Sequence, residues 1–332
     1  MSTKAAPTAA APTDWRPARL RATRALTPDI RLLEIEPAGA IVPAAPGSHL
    51  GVAVMIGERP DTRSYSLLDS GADGVYRIAV KRLPDSRGGS AYMHGLAPGA
   101  RLGISGPRNH FALTHGRPGY LLVAGGIGIT PLHAMALALH RTGAPFRLLY
   151  AARTRQDLAL ADDLRARIGD RLETAVDAEG GRIDLPAAIA ALAPGGEAYL
   201  CGPLGMMEAA RAAWTVSGRP AQSLRFETFG TGGRHAAEPF TVRIPRLSKE
   251  IVVARGQTML EALEAAGVGM ISDCRRGECG LCTVKILEAD GTVDHRDVFF
   301  SDAQKATDAQ LCTCVSRVVG GGITIDTADR AG

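Results

Sequence analysis

Aromatic residues are scarce in this 332-residue chain: two tryptophans, six tyrosines and seven phenylalanines. No basic run interleaved with aromatics occurs, and a formal net charge of +4 is too mild to argue for a nucleic-acid surface. No stretch of about 18 apolar residues is present, so no membrane span is expected. Residues 1–13 lack a charged segment followed by an apolar one, so no secretory signal is expected; their Ala/Pro/Thr composition predicts a disordered lead-in. Cysteine is absent from the first 200 residues. Six in all cannot make a disulfide scaffold for a chain this long, and five of them fall within residues 274–314. Crowding of that kind reads as metal ligation in the cytoplasm. No general acid–base dyad or nucleophile triad is visible either.

What is present is enough apolar residue for real cores, at 45% of the chain, and enough length for two or three domains. Residues 14–115 carry short alternating runs, such as Leu33–Glu36 and Tyr76–Ile78, between Gly/Pro/Asp turns, which predicts an antiparallel β-barrel. Residues 116–229 alternate strand and helix: strands at Tyr120–Ala124, Phe146–Ala151 and Glu197–Cys201, helices at Pro131–Arg141 and from Leu204. This predicts an α/β domain with a parallel sheet. Residues 230–237 (G-T-G-G-R-H-A-A) read as a linker. Residues 238–332 open with strands at Phe240–Ile244 and Glu250–Ala254, then a helix, Met259–Ala266, capped by Thr258 with Leu260 and Leu263 facing inward.

Within this frame lie several motifs. In Arg63–Ser64–Tyr65–Ser66–Leu67, strand alternation puts Arg63 and Tyr65 on one face, where a guanidinium suits a phosphate and a phenol ring a flat heteroaromatic; a solvated Arg beside a half-buried Tyr would look the same. Arg87–Gly88–Gly89–Ser90 precedes a helix expected over Ala91–Gly95 and reads as an anion cradle, or as a Gly-rich turn capped by Ser90. Ala124–Gly125–Gly126–Ile127–Gly128–Ile129–Thr130–Pro131 joins an apolar strand to a helix, with Thr130 as the expected cap and Pro131 in the first turn. That is the context of a dinucleotide pyrophosphate site, although G-G-x-G departs from the G-x-G-x-x-G fingerprint. Cys201–Gly202–Pro203 ends another strand on the edge where such sheets bind ligands; Cys201 is either buried packing or a neighbour of a nicotinamide.

The most specific signal is Cys274, Cys279 and Cys282 in C-R-R-G-E-C-G-L-C, a C-x4-C-x2-C spacing with Cys312 and Cys314 downstream. Plant-type 2Fe–2S clusters are held by three thiolates on one loop and a fourth from afar. Gly277 and Gly280 allow the backbone to wrap closely. Zinc is the rival, but structural zinc favours paired C-x2-4-C knuckles, often with His.

Taken in order, R-S-Y-S-L, R-G-G-S, A-G-G-I-G-I-T-P, C-G-P and C-x4-C-x2-C resemble phthalate dioxygenase reductase and its family over residues 15–327. The D-H-R-D-V-F run (Asp294–Phe299) looks most similar to vanillate demethylase reductases. The resemblance implies a flavin barrel, a nucleotide domain and an α+β β-grasp plant-type ferredoxin domain. It implies that Arg63, Ser64, Tyr65 and Ser66 with Arg87, Gly88, Gly89 and Ser90 bind FMN. Gly125, Gly126, Gly128, Thr130, Cys201, Gly202 and Pro203 would meet NADH, and Phe229 would cover the flavin. Cys312 would match the plant ferredoxin gap, whereas the C-V-S-R run points to Cys314; the resemblance favours Cys274, Cys279, Cys282 and Cys314 as ligands.

The implied activity moves electrons from NADH through FMN and a 2Fe–2S cluster, one at a time, to a Rieske-type terminal oxygenase acting on an aromatic acid. The protein is expected to be a cytoplasmic monomer. Another acceptor, such as a non-aromatic monooxygenase, is the alternative, and a redox sensor a lesser one. Arg153 and Arg155 suit a 2′-phosphate and Asp157 a ribose hydroxyl, so NADH and NADPH stay open on the residues alone. One visible phosphate cradle favours FMN over FAD.

Overall fold

The computed structural model describes residues 14–83, 88–229, 233 and 235–327, with the backbone alone at Arg59. The expected lead-in at 1–13, Arg87, and half of the 230–237 run lie outside the described residues.

Six strands form the first sheet: β1 (Arg16–Ala25), β2 (Ile30–Pro37), β3 (Ser48–Ile56), β4 (Arg59–Ser66), β5 (Tyr76–Lys81) and β6 (Arg101–Asn109), with helix α1 (Gly89–Gly95) before β6. Their order is β4-β3-β6-β1-β2-β5 and every pair is antiparallel. A bridge from Leu67 to Ile78 brings the end of β4 back to β5 and curls the sheet into the expected barrel. Alternation decides which side faces in: Leu33 and Ile35 join Leu50, Val52, Ile78 and Ile104 in the interior, while Glu34 and Glu36 point outward.

The second sheet follows the predicted alternation. It contains β7 (Tyr120–Gly125), α2 (Ile129–Arg141), β8 (Phe146–Ala152), α3 (Ala161–Ile168), β9 (Leu172–Val176), α4 (Leu185–Ala190), β10 (Glu197–Cys201), α5 (Leu204–Val216) and β11 (Leu224–Glu227). The strand order is β11-β10-β7-β8-β9, all parallel. Its strands are apolar on both faces because both are covered. Tyr120, Leu122 and Ala124 of β7 pack with Leu132 and Met135 of α2, whereas Leu121 and Val123 pack with Ile189 of α4 and Trp214 of α5. The strand order reverses between β7 and β10, which places their parallel C-terminal ends side by side, Ala124 opposite Cys201. Ligands bind at such a switch point.

The third sheet holds β12 (Phe240–Ile244), β13 (Lys249–Val253), α6 (Met259–Ala265), β14 (Thr283–Ala289), β15 (Thr292–Asp294), α7 (Asp302–Lys305), β16 (Gln310–Cys312), β17 (Arg317–Val319) and β18 (Ile323–Asp326). The order is β13-β12-β18-β14-β16, with β12 and β18 parallel and β15–β17 a separate pair. Helix α6 lays Met259, Ala262 and Leu263 on Val242, Ile244 and Ile325, giving the α+β β-grasp expected. Thr258 caps it reciprocally with Glu261: the Glu261 N–H donates to Thr258 Oγ1 at 3.1 Å and the Thr258 N–H to Glu261 Oε2 at 2.8 Å.

Two helix starts differ from expectation. The turn Gly126–Gly128 winds directly into α2, so Gly128 is the cap and Thr130 lies inside, its Oγ1 donating to the Ile127 carbonyl at 3.0 Å. Likewise α1 starts at Gly89 rather than Ala91. Gly88 precedes it at φ 98°, and Ser90 is helical instead of capping. In both cases a glycine turn lets the helix begin earlier than a side-chain cap would. No helix among the described residues is long and apolar enough to cross a membrane.

Candidate functional site

On β4, Arg63 and Tyr65 share a face as predicted, and Tyr65 packs on the barrel core, where burial pushes its phenol upward. Ser64 is on the other face and exposed. Arg63 Nη1 pairs with Asp61 at 2.7 Å, while its buried Nη2 has no partner among the described residues. A Cβ on Gly89 would lie 2.8 Å from Arg63 Nε, so this arginine rests against the start of α1. Two motifs more than twenty residues apart thus share one cradle, and an orphaned guanidinium N–H in it suits a phosphate.

At the switch point the two glycine turns touch backbone to backbone. A Cβ on Gly128 would sit 2.0 Å from the Cys201 carbonyl oxygen, and one on Gly125 2.5 Å from Pro203 Cδ. Around Gly126, by contrast, nothing lies within 4 Å of an added Cβ, which leaves that side of the turn open. Cys201 is wholly buried in the core and its thiol is pushed well up, first by burial and then by Glu227. Phe229 is half-buried against the same core. The Asp157 carboxylate is occupied by Thr154, accepting from its N–H at 3.0 Å and its hydroxyl at 2.8 Å, and Arg155 pairs with Glu179. A cleft of about 460 Å³ lined by Arg117, Tyr120 and Thr142 lies at the N-terminal edge of this sheet and shares no residue with the site.

The cysteine loop is wrapped by its own backbone. The N–H groups of Arg276 and Glu278 both point at Cys274 Sγ, at 3.4 Å. Gly277 has φ 76°, and a Cβ there would meet Val315 at 2.7 Å and Asp297 Cα at 2.9 Å, so only glycine fits. Cys274 interacts with Cys279, and Cys282 with both Cys312 and Cys314. Hydrogen bonding from Cys312 and Cys314 pulls the Cys282 thiol down and pushes both of theirs up. Cys314 also feels Cys274, whereas Cys312 belongs to β16 and feels Asp297.

The three sheets meet at Glu227, the last residue of β11. Its Oε2 accepts from Ser66 of β4 at 3.3 Å, and its Oε1 lies 2.6 Å from Arg276 of the cysteine loop. Burial lifts this carboxyl to about 7 against the pull of Arg276. Next to it, the Thr228 N–H donates to Glu278 Oε1 at 2.7 Å and its hydroxyl to the Arg276 carbonyl at 2.8 Å. His49 of β3 stacks on His110 and faces Arg276; burial, then that charge, lowers it to about 4.

Residues 122–212 match the family model for an oxidoreductase NAD-binding domain, and residues 242–319 that for a 2Fe-2S iron-sulfur cluster binding domain. Phenoxybenzoate dioxygenase subunit beta of Ectopseudomonas oleovorans is 40% identical over 290 residues, 86% of this chain and 88% of that one. The solved structure of phthalate dioxygenase reductase matches with a TM-score of 0.74 at 30% identity, over 94% of this chain and 98% of that one. The chain belongs to the phthalate dioxygenase reductase-like family. Like the rest of that family it is an NADH-dependent flavin iron–sulfur oxidoreductase, with FMN and a 2Fe–2S cluster as cofactors. An intact type IV self-sufficient cytochrome P450 monooxygenase also matches, with a TM-score of 0.65 at 34% identity over 94% of this chain. The chain spans only 41% of that protein's length.

The residues in place suit the family's cofactors: an orphaned arginine nitrogen beside a glycine-led helix start, and thiols gathered under inward-pointing N–H groups. Sequence reasoning missed Glu227, Thr228, Arg276, Glu278 and His49. The only sequence signal for them was the charge at Arg275, Arg276 and Glu278 inside the cysteine loop.

Proposed function

We propose that this chain takes electrons from NADH and delivers them singly to a Rieske-type terminal oxygenase acting on an aromatic acid, by demethylation or dihydroxylation. Bound FMN accepts two electrons together and releases them one at a time, and a 2Fe–2S cluster carries one. The observation that carries this reading is the meeting of the Arg63–Tyr65 cradle, the paired glycine turns and the cysteine loop around Glu227.

In this reading Arg63, Gly88, Gly89 and Ser90 hold the FMN phosphate, with Arg87 continuing the run. Tyr65, Ser66 and the Ser64 backbone line the ring. Gly125, Gly126, Gly128 and Thr130 receive the dinucleotide, while Gly202 and Pro203 shape the turn whose close packing buries Cys201. Phe229 covers the nicotinamide's point of entry. Cys274, Cys279, Cys282 and Cys314 ligate the cluster, the last because the C-V-S-R run it opens resembles the family's ligand segment. The corresponding domains are residues 14–115, 116–229 and 238–332, joined by 230–237. Six unpaired cysteines support a cytoplasmic location, and the chain works as a monomer beside its acceptor.

Purified protein should be yellow-brown and reduce cytochrome c with NADH. A colourless, iron-free preparation after anaerobic handling would end this reading. The P450 match favours a second acceptor class, a haem monooxygenase. Reduction of a purified Rieske oxygenase but not of a P450 would decide between them.

A further inference from the structure

Cluster ligation does not require the side chain of Arg276 to leave its own domain, yet it does. Its Nη1 donates to Glu227 Oε1 at 2.6 Å, and its Nη2 lies 3.6 Å from Glu278 Oε2. Both ends of the pair are removed from water, at 15% and 2% side-chain exposure. Its carbonyl accepts from Thr228 Oγ1, and Glu278 accepts from the Thr228 N–H. The tip of the loop between Cys274 and Cys279 is therefore tied to the end of β11 by an ion pair and by the Thr228 hydrogen bonds. The far oxygen of the same Glu227 carboxylate takes the Ser66 hydroxyl, one residue from Tyr65. A single buried carboxylate thus connects the flavin cradle to the loop that carries the thiols.

We infer that Arg276 is a positioning residue for the internal electron-transfer step. With Thr228 and Glu278 it clamps the cysteine loop onto β11 and sets the gap between the Tyr65 cradle and Cys274–Cys282. The clamp has this role only if electrons take the proposed route from flavin to cluster. Electron transfer between buried centres falls off exponentially with distance, so a loosened loop slows this step and spares the preceding one. Arginine is suited to the clamp because its planar fork spans Glu227 and Glu278 together, which a lysine cannot do.

The test uses the full-length holoprotein and its Arg276→Met, Arg276→Lys and Thr228→Val variants. Two NADH-driven rates are compared: ferricyanide, reduced at the flavin, and cytochrome c, reduced through the cluster. Arg276→Met should lower the cytochrome c rate about tenfold or more with ferricyanide within about twofold, Arg276→Lys should recover part, and Thr228→Val should lose about threefold. Backbone hydrogen exchange at 274–279 and 224–229 should rise at unchanged iron content. Equal loss of both rates would place Arg276 at the nicotinamide–flavin step and overturn the clamp, as would unchanged rates and exchange. If Arg276→Met loses iron, Thr228→Val and Glu278→Gln, which leave the N–H groups to Cys274 in place, decide by the same ratio. A wild-type protein inactive toward both acceptors would defeat the proposed function itself, a distinguishable result.

Discussion

Arg276 Nη1 and Glu227 Oε1 lie 2.6 Å apart across the junction of the third and second sheets, with Glu227 almost wholly buried. Truncating one member of such a pair strands the other's charge in a dry site. Glu227→Ala should destabilise the protein by about 3–5 kcal/mol, and Glu227→Gln by less, because an amide oxygen still accepts from Arg276 and Ser66. Urea denaturation of the two variants measures this; equal and small losses would mean that water reaches the pair.

The fourth cluster ligand can be read from iron content. Cys314 opens the C-V-S-R run and feels Cys274, whereas Cys312 is a residue of β16 paired with Thr283. Cys314→Ser should abolish the cluster's visible absorbance, and Cys312→Ser should retain it. Loss in Cys312→Ser alone would reverse the assignment.

Two neighbouring glycines should behave differently. Gly128→Ala drives a methyl into the Cys201 carbonyl at a nominal 2.0 Å, so the turn must open. Gly126→Ala meets no atom within 4 Å and bears only the strain of φ 54°. Thermal unfolding should show a cost of about 1 kcal/mol at Gly126 and several times that at Gly128.

Flavin retention depends on Arg63 if its unpartnered Nη2 is the phosphate donor. Arg63→Met should weaken FMN binding by at least about tenfold, as expected for losing a charge-assisted hydrogen bond. Titration of apoprotein with FMN checks it, and an unchanged affinity would move the phosphate elsewhere.

His49 makes stability depend on acid. Burial, with Arg276, His110 and Arg108 facing it, lowers it from 6.5 to about 4. The unfolded chain therefore takes up the proton first, and the contribution present above pH 6.5 is lost as pH falls toward 4. Relative to His49→Gln, the wild type should lose about 2 kcal/mol between pH 7 and pH 5. Parallel losses in both proteins would assign the acid sensitivity to other groups.

Much of this architecture was legible in local patterns. Glu197–Cys201 and Phe240–Ile244 are strands at the residues read from alternation and apolar runs, and Thr258 caps α6. Helix starts were less legible, because Gly88 and Gly128 begin α1 and α2 without a side-chain signal. Within the site, the cradle arginine, the glycine turns and the cysteine loop each stood out. Glu227 did not, since a carboxylate at the end of a short strand looks like a solvated one.

By itself the sequence determined the kinds of element, their order and the cofactor chemistry, because periodicity, glycine placement and C-x4-C-x2-C spacing act over a few residues. Tertiary structure alone decided which groups share a site. Ser66 and Glu227 come from two different sheets and Arg276 from the cysteine loop, and it took their packing to bury one carboxylate between a hydroxyl and a guanidinium. Burial and partnership of this kind depend on residues far apart in the chain, and no local pattern encodes them.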